Sequence, residues 1–139
     1  MAKGRELAEF TLQCSTATCT AGPAGSKLIA YNFDGEVSGG FGAIIATATI
    51  DTGNGGNMEF CGVMFRDDGR AFNSSATGTY QSIGIHRWST DLLMHSSDGS
   101  VMLGEGVIDL ASRSWRGHFF EWLAEPFASG RPAKGKVRA

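Results

Sequence analysis

The sequence has few of the residues and runs that would mark a specialised class of protein. Among its 139 residues are only three prolines and three cysteines, and this small, odd number of cysteines argues against a disulfide framework. No apolar run approaches the roughly 20 residues that a membrane-spanning helix needs. The first residues also lack the apolar stretch of a secretory signal. We therefore expect a cytoplasmic protein with no membrane partner.

Motifs for metal, phosphate or nucleophile chemistry are also missing. The three histidines, His86, His95 and His118, are far apart in sequence, and there is no His-x-His pair or Cys-x-x-Cys motif to suggest a zinc site. No Gly-x-Ser-x-Gly elbow and no phosphate-binding glycine loop is present. The sequence therefore predicts no metal and no cofactor, and it leaves open whether the protein is an enzyme.

Charge is unevenly distributed along the chain. The net charge is −2, but residues 6–125 contain all fourteen acidic residues and only six of the twelve basic ones. An acidic body argues against nucleic-acid binding, which needs a basic face on the fold itself. Residues 128–139 are basic and offer little to bury, so we predict a flexible C-terminal tail following a single domain over residues 1–127.

Glycine is abundant, and its spacing favours strands. Twenty glycines occur along the chain, whereas an interior glycine costs a helix about 1 kcal/mol. Ala8, Phe10 and Leu12 alternate with polar residues, as in a strand with one wet face. Turn signals occur at residues 51–57, 67–69 and 97–99, and residues 15–26 are predicted to form a loop. The prediction is an all-β fold, an antiparallel up-and-down barrel of about eight strands with little or no helix.

One glycine-rich stretch carries a family resemblance. Residues 33–42, FDGEVSGGFG, followed by uniformly short strands, resemble small bacterial barrels grouped with allene oxide cyclase and the lipocalin-like calycins. The resemblance extends over residues 28–123. It implies a barrel that holds a small apolar molecule, with cyclase or isomerase activity in some members. No catalytic motif of that group matches residue by residue, so none is transferred to this chain.

Glu105 is the first candidate catalytic residue. In a strand it shares a face with Val101, Leu103 and Val107, so its carboxylate would lie in apolar company. Desolvation there would raise its pKa and suit it to general acid or base chemistry. Two alternatives remain open: a bulge would turn Glu105 to solvent, or it would pair with an arginine. Glu59, which shares a face with Cys61 and Val63, is a second carboxylate of this kind.

The last predicted strand, residues 115–123, supplies possible partners. Arg116, His118, Phe120 and Trp122 lie on one face, and Trp115, Gly117, Phe119 and Glu121 lie on the other. Each face has two aromatic rings, so apolarity does not decide which one points inward. If the His118 face is inside, an imidazole and a guanidinium lie beside two rings and suit an anionic or carbonyl-bearing aromatic ligand.

His86 and Trp88 complete the set of candidate binding residues, although a histidine beside a tryptophan is more often structural. Cys14 and Cys19 are close enough in sequence to form a disulfide or redox pair, but free thiols are the alternative. Cys61 is predicted to pack as a small apolar residue.

Three hypotheses follow. The first is a barrel that binds a small hydrophobic or aromatic molecule, with Glu105 and His118 as catalytic residues. Its binding residues would be Arg116, Phe120, Trp122, Glu59, His86 and Trp88. The second is a non-enzymatic oligomerisation or interaction module, and a homo-oligomer is expected in either case. The third is a redox sensor at Cys14 and Cys19.

Overall fold

Eight antiparallel strands close into an up-and-down barrel in which each strand pairs with its sequence neighbours and the last pairs with the first. The computed structural model describes residues 2–52 and 56–123. The strands are β1 (Ala2–Ala21), β2 (Lys27–Val37), β3 (Gly42–Asp51), β4 (Asn57–Phe65), β5 (Ala71–Gly84), β6 (Arg87–Ser96), β7 (Val101–Asp109) and β8 (Ser114–Leu123). The predicted fold class is confirmed.

Helix is almost absent from the described part of the chain. Its one helical element is a 3₁₀ turn at Pro23–Gly25, and nothing in residues 2–52 or 56–123 is a helix that could span a membrane. The basic tail predicted over residues 128–139, and the predicted domain boundary at residue 127, lie outside the described residues.

Two of the three predicted tight turns lie wholly within the described residues and connect strands as expected, whereas the turn predicted over residues 51–57 includes residues 53–55, which lie outside them. β4 and β5 are joined through Gly69, and β6 and β7 through Gly99, with φ of 89° and 90°, respectively. Side-chain carboxylates support both turns: Asp68 accepts the amide of Arg70 at 3.0 Å, and Asp98 accepts that of Ser100 at 3.0 Å. Glycine in the left-handed region and an Asx hydrogen bond are the two chemical signals that made these turns predictable.

The predicted loop over residues 15–26 is wrong for its first half. β1 continues to Ala21 and pairs with β2 as far as Lys27, with a bulge between Cys14 and Thr16. Thr16, Thr18 and Thr20 are β-branched, and such side chains suit a pleated surface better than a loop. The small polar composition of this segment therefore concealed a strand.

A hairpin turn divides residues 81–90 between two strands. β5 ends at Gly84, and β6 begins at Arg87. The turn places His86 at a φ of 55°, a left-handed conformation that few non-glycine residues adopt. Without glycine, asparagine or aspartate at the turn centre, the sequence had no local signal for it.

The middle of the barrel is filled with side chains. Trp115 is 1% exposed, and its ring centroid lies 5.2 Å from that of Phe33 and 5.8 Å from those of Phe10 and Phe60. Its indole Nε1 donates to Thr90 Oγ1 at 3.0 Å. The space left among these rings and their apolar neighbours is about 10 Å³. An eight-stranded barrel is just wide enough for its side chains to do this.

The two ends of the barrel differ. The connections after β1, β3, β5 and β7 lie at one end, called the upper end here. At that end β1 extends to Ala21 and β5 to Gly84, whereas β7 and β8 stop at Asp109 and Ser114. The barrel wall is therefore lowest at the β7–β8 turn, residues 110–113.

Candidate functional site

The direction of the β8 side chains is settled by its neighbours. Trp115 pairs with Leu12 of β1 and Ile108 of β7, which are both buried, and it points into the core with Phe119. Gly117 lies between them, where a Cβ would come within 2.7 Å of Phe10 Cζ. The Arg116 and His118 face is therefore the outer one. The lumenal arrangement considered for these two residues is not what the chain forms.

Glu105 and His118 are adjacent across β7 and β8 but point to solvent. Glu105 Oε1 is 3.2 Å from Lys3 Nζ, and the side chain is 44% exposed. His118 Nδ1 is 3.0 Å from Glu6 Oε2, and the side chain is 43% exposed. The alternative in which Glu105 is a paired, exposed carboxylate therefore applies, with lysine as its partner. Surface ion pairs of this kind contribute little to the free energy of unfolding, and they leave the carboxylate exposed to water.

A shallow groove runs over this outer face. It has a volume of about 670 Å³, and Glu9, Asp91, Glu105, Arg116 and His118 are among its lining residues. Gly106 and Gly117 are also among its lining residues. Because they have no side chains, β7 and β8 approach each other closely there. A broad polar groove open to solvent does little to desolvate a ligand, so it is a weak candidate for small-molecule binding.

Phe120, Trp122 and Glu59, which were predicted to bind a ligand inside the barrel, are not part of its buried core. Lys3 Nζ lies 4.4 Å above the ring of Phe120. Trp122 is half-buried, and its Nε1 has no hydrogen-bond partner in the described part of the chain. Glu59 is exposed between Thr49 and Thr77 on the far side of the barrel. Lys3 therefore contacts both Phe120 and Glu105, and the Phe120 ring centroid lies 6.2 Å from that of His118. Glu59 is remote from this group.

His86 and Trp88 take different positions at the upper end. His86 is exposed in the β5–β6 turn, and its carbonyl accepts the amide of Leu110 at 3.0 Å. Trp88 is half-buried, and its ring packs edge-on against Tyr80 with centroids 6.2 Å apart. Tyr80 in turn donates its hydroxyl to the carbonyl of Asp51 at 3.2 Å. Trp88 thus belongs to the apolar packing of this end.

A partly enclosed cavity opens at the upper end, above the low part of the wall. Its volume is about 440 Å³. We call it the mouth cavity, and its lining residues are Cys14, Ser15, Thr16, Ala17, Tyr31, Phe33, Ile108, Leu110 and Arg113. Phe33 and Ile108 are 2% and 1% exposed and belong to the barrel core. The mouth cavity is thus the space above the packed rings that the shorter β7 and β8 leave open.

Besides the Cys14 thiol and the Ser15 and Thr16 hydroxyls, which are hydrogen-bonded to Asn32, two polar side chains line the mouth cavity. The Tyr31 hydroxyl makes no hydrogen bond to another described residue, and burial raises the pKa of this phenol, with smaller contributions from Cys14 and Cys19. Arg113 is exposed at the β7–β8 turn with φ of 55°, and its guanidinium forms no ion pair with a described carboxylate. One fixed cation and one neutral donor beside a ring suit an aromatic anion.

The cysteines are free thiols in strands. Cys14 is half-buried, and its Sγ donates to the carbonyl of Thr16 at 3.3 Å, whereas Cys19 and Cys61 are exposed. Cys61 was predicted to be packed and instead faces outward. Cys14 and Cys19 are five residues apart on β1, and the bulge after Cys14 takes up one of these steps. The remaining four steps span about 13 Å at the usual rise per residue, beyond the roughly 7 Å that a disulfide spans between Cα atoms. Within the described residues, no group of three His, Cys, Asp or Glu side chains could hold a metal ion.

Sequence reasoning did not place Tyr31, Leu110 or Arg113 among the candidate site residues. The periodicity of residues 27–33 places Tyr31 and Phe33 on one face, which was the available signal. Nothing local indicated that the β7–β8 turn would lie beside them. No family model, curated protein or solved structure matches this chain. The assignment of a site therefore depends on its own geometry.

Proposed function

We propose that the chain binds a small, largely apolar aromatic molecule with an anionic group in the mouth cavity. The observation that carries the proposal is a 440 Å³ cavity with a core-packed apolar floor and, at its rim, the guanidinium of Arg113, which pairs with no carboxylate of residues 2–52 or 56–123. That volume falls within the range of small-molecule sites, which are typically apolar with a few placed polar groups.

The cavity suggests how such a molecule would be oriented. A ring would rest on Phe33 and Ile108, whose positions are fixed because they are part of the core. Leu110 and Tyr31 would flank it, and the anionic group would point to Arg113 at the open side. A preformed floor reduces the ordering cost of binding, which favours affinity.

The fold is compatible with membership of the calycin-like barrels, and we include that affiliation in the proposal. Its support is the closed antiparallel barrel of eight strands. Cyclase or isomerase activity is not part of the proposal, because the two residues considered for it, Glu105 and His118, are hydrated on the outer face. We propose binding without catalysis.

A second candidate function is an interaction module that forms homo-oligomers. The observation that favours it is the β5–β6 hairpin, whose tip exposes Ile83 and Ile85 by 50% and 86%. Two neighbouring exposed isoleucines at a hairpin tip form an apolar patch, and such patches can mark a surface that binds another protein. Light scattering of the Ile85→Ser variant tests it: a dimer that dissociates supports the module, and an unchanged monomer rejects it.

The binding proposal is tested with 3-phenylpropionate as the aromatic anion and calorimetry as the measurement. We expect saturable binding that is lost in Ala17→Phe, because the new ring occupies the mouth cavity. The matched control is Ala43→Phe, at an exposed position on β3 outside that cavity. Equal binding by both variants, or no binding by the original chain, contradicts the proposal.

A further inference from the structure

The wall of the barrel has a bare strand edge beside the mouth cavity. β1 and β8 are paired as far as Gln13 and Ser114, and the amide of Cys14 then donates to the carbonyl of Arg113 at 2.8 Å. Beyond that point residues 15–21 have β2 on one side. No described strand pairs with their other side.

The hydrogen-bond pattern shows which backbone groups lie on the bare side. The amide of Gly22 donates to the carbonyl of Ser26 at 2.9 Å. Because the backbone groups of an antiparallel strand alternate between its two sides, Thr20 and Thr18 direct theirs toward β2. Ala17, Cys19 and Ala21 then direct theirs away from β2, toward the low part of the wall.

This edge has little chemical protection. Residues 15–21, STATCTA, include no charged residue and no proline. Proteins usually block exposed edges with such residues, since an open row of N–H and C=O groups is a template for another strand. The segment is therefore suited to accept one.

The edge and the mouth cavity form one continuous feature. Residues 15–17 of the edge are themselves part of the cavity lining, and Arg113 lies at the base of both. A strand added beside residues 15–21 would direct alternate side chains toward the barrel axis. The lowest of these side chains would enter the cavity, close to the Arg113 guanidinium.

The geometry points to an extended peptide segment of a partner protein as the occupant, paired with residues 15–21. It would insert an aromatic side chain in the mouth cavity and place a carboxylate near Arg113. This inference rests on the proposed function and names its ligand class. Charge favours an acidic partner segment over the chain's own residues 128–139, which contain Arg131, Lys134, Lys136 and Arg138.

The test uses a fluorescently labelled, end-blocked peptide, Thr-Val-Thr-Val-Thr-Phe-Asp, in which the last inward-facing side chain is the aromatic one and the carboxylate follows it, with anisotropy as the readout. Two further peptides have N-methyl groups on every second amide. One is methylated at the odd-numbered amides and the other at the even-numbered amides. Only one edge of a bound peptide faces β1. We therefore expect one methylated peptide to lose at least about tenfold in affinity, the equivalent of one to two hydrogen bonds, and the other to bind normally.

The carboxylate contact is tested separately. Arg113→Gln is expected to weaken the aspartate peptide about tenfold and to leave its asparagine analogue unchanged. Arg116→Gln makes the same change of charge on the outer face and is the matched control.

The outcomes separate this inference from the proposed function. Equal binding by both methylated peptides overturns strand addition. Binding of 3-phenylpropionate without binding of any peptide overturns the inference and leaves the proposed function standing. Absence of both overturns both. A dimer that blocks the peptide site, detected by light scattering, shows a second copy at the edge and also overturns the inference.

Discussion

The rings of Phe33 and Trp115 lie 5.2 Å apart, and this contact joins the mouth cavity to the packed middle of the barrel. Phe33 is at once a core residue and the floor of the cavity. A ligand on this floor therefore contacts a surface that is held by the same aromatic cluster that stabilises the fold. The first predictions concern that cluster.

Thr90→Val is expected to destabilise the barrel by about 1–3 kcal/mol, because it leaves the buried indole N–H of Trp115 without its acceptor. Urea unfolding measures the change. The exposed Thr11→Val variant is the control and is expected to shift stability by less than about 0.5 kcal/mol. The double variant with Trp115→Phe and Thr90→Val should lose less unfolding free energy than the sum of the losses in the two single variants. Additive losses would show that the hydrogen bond contributes nothing.

Gly117→Ala is expected to be strongly destabilising, by about 3 kcal/mol or more. The new methyl group would collide with the carbonyl of Glu105 and approach Gly106 Cα to 2.6 Å. Gly84→Ala is the matched control, since its Cβ meets nothing within 4 Å and its φ is not positive. Thermal unfolding of the two variants should differ clearly. Similar melting temperatures would contradict the close packing of β7 against β8.

These two variants also show what the sequence could and could not reveal. The antiparallel barrel and the turns at Gly69 and Gly99 were predictable, because alternation and turn chemistry are local signals, whereas the β5–β6 hairpin and the second part of β1 were not. The side-chain direction in β8 was not, because it depends on the partners Leu12 and Ile108, which are distant in sequence. The small Gly117 between two large residues was the available clue, since it leaves room for Phe10.

The mouth cavity was harder still to predict from the sequence. It depends on β1 continuing through residues 15–21 while β8 begins only at Ser114. No feature of the sequence predicts the bulge near Cys14. Tyr31 and Arg113 line the same cavity only because the barrel closes between β8 and β1. Strand lengths at a barrel end are set by pairing across the sheet, which local composition does not encode.

Tyr31 should ionise above the usual tyrosine pKa, because burial raises it. A raised pKa in the folded state means that the folded chain holds its proton more tightly than the unfolded chain. Stability from this source is complete below about pH 10 and is lost as the pH rises through the folded pKa. Phenolate absorbance and unfolding measured across this range test it. The stability of Tyr31→Phe should fall less at high pH, and an identical decline would contradict the prediction.

Thiol reactivity should distinguish the three cysteines. Cys19 and Cys61 are exposed and should be alkylated readily in the native state, whereas half-buried Cys14 should react more slowly. Intact and peptide mass spectrometry measure this. Under mild oxidation no bond between Cys14 and Cys19 should form while β1 is intact. Detection of that disulfide in the folded chain would restore a redox role and contradict the strand geometry.

The most direct test of the account is to map where 3-phenylpropionate binds, using backbone amide chemical shifts of the isotope-labelled protein. We predict that the perturbed amides cluster at residues 14–17, 31–33 and 108–113, around the mouth cavity. Shifts concentrated instead at Glu105, Arg116 and His118 would place the ligand in the outer groove and contradict the central claim.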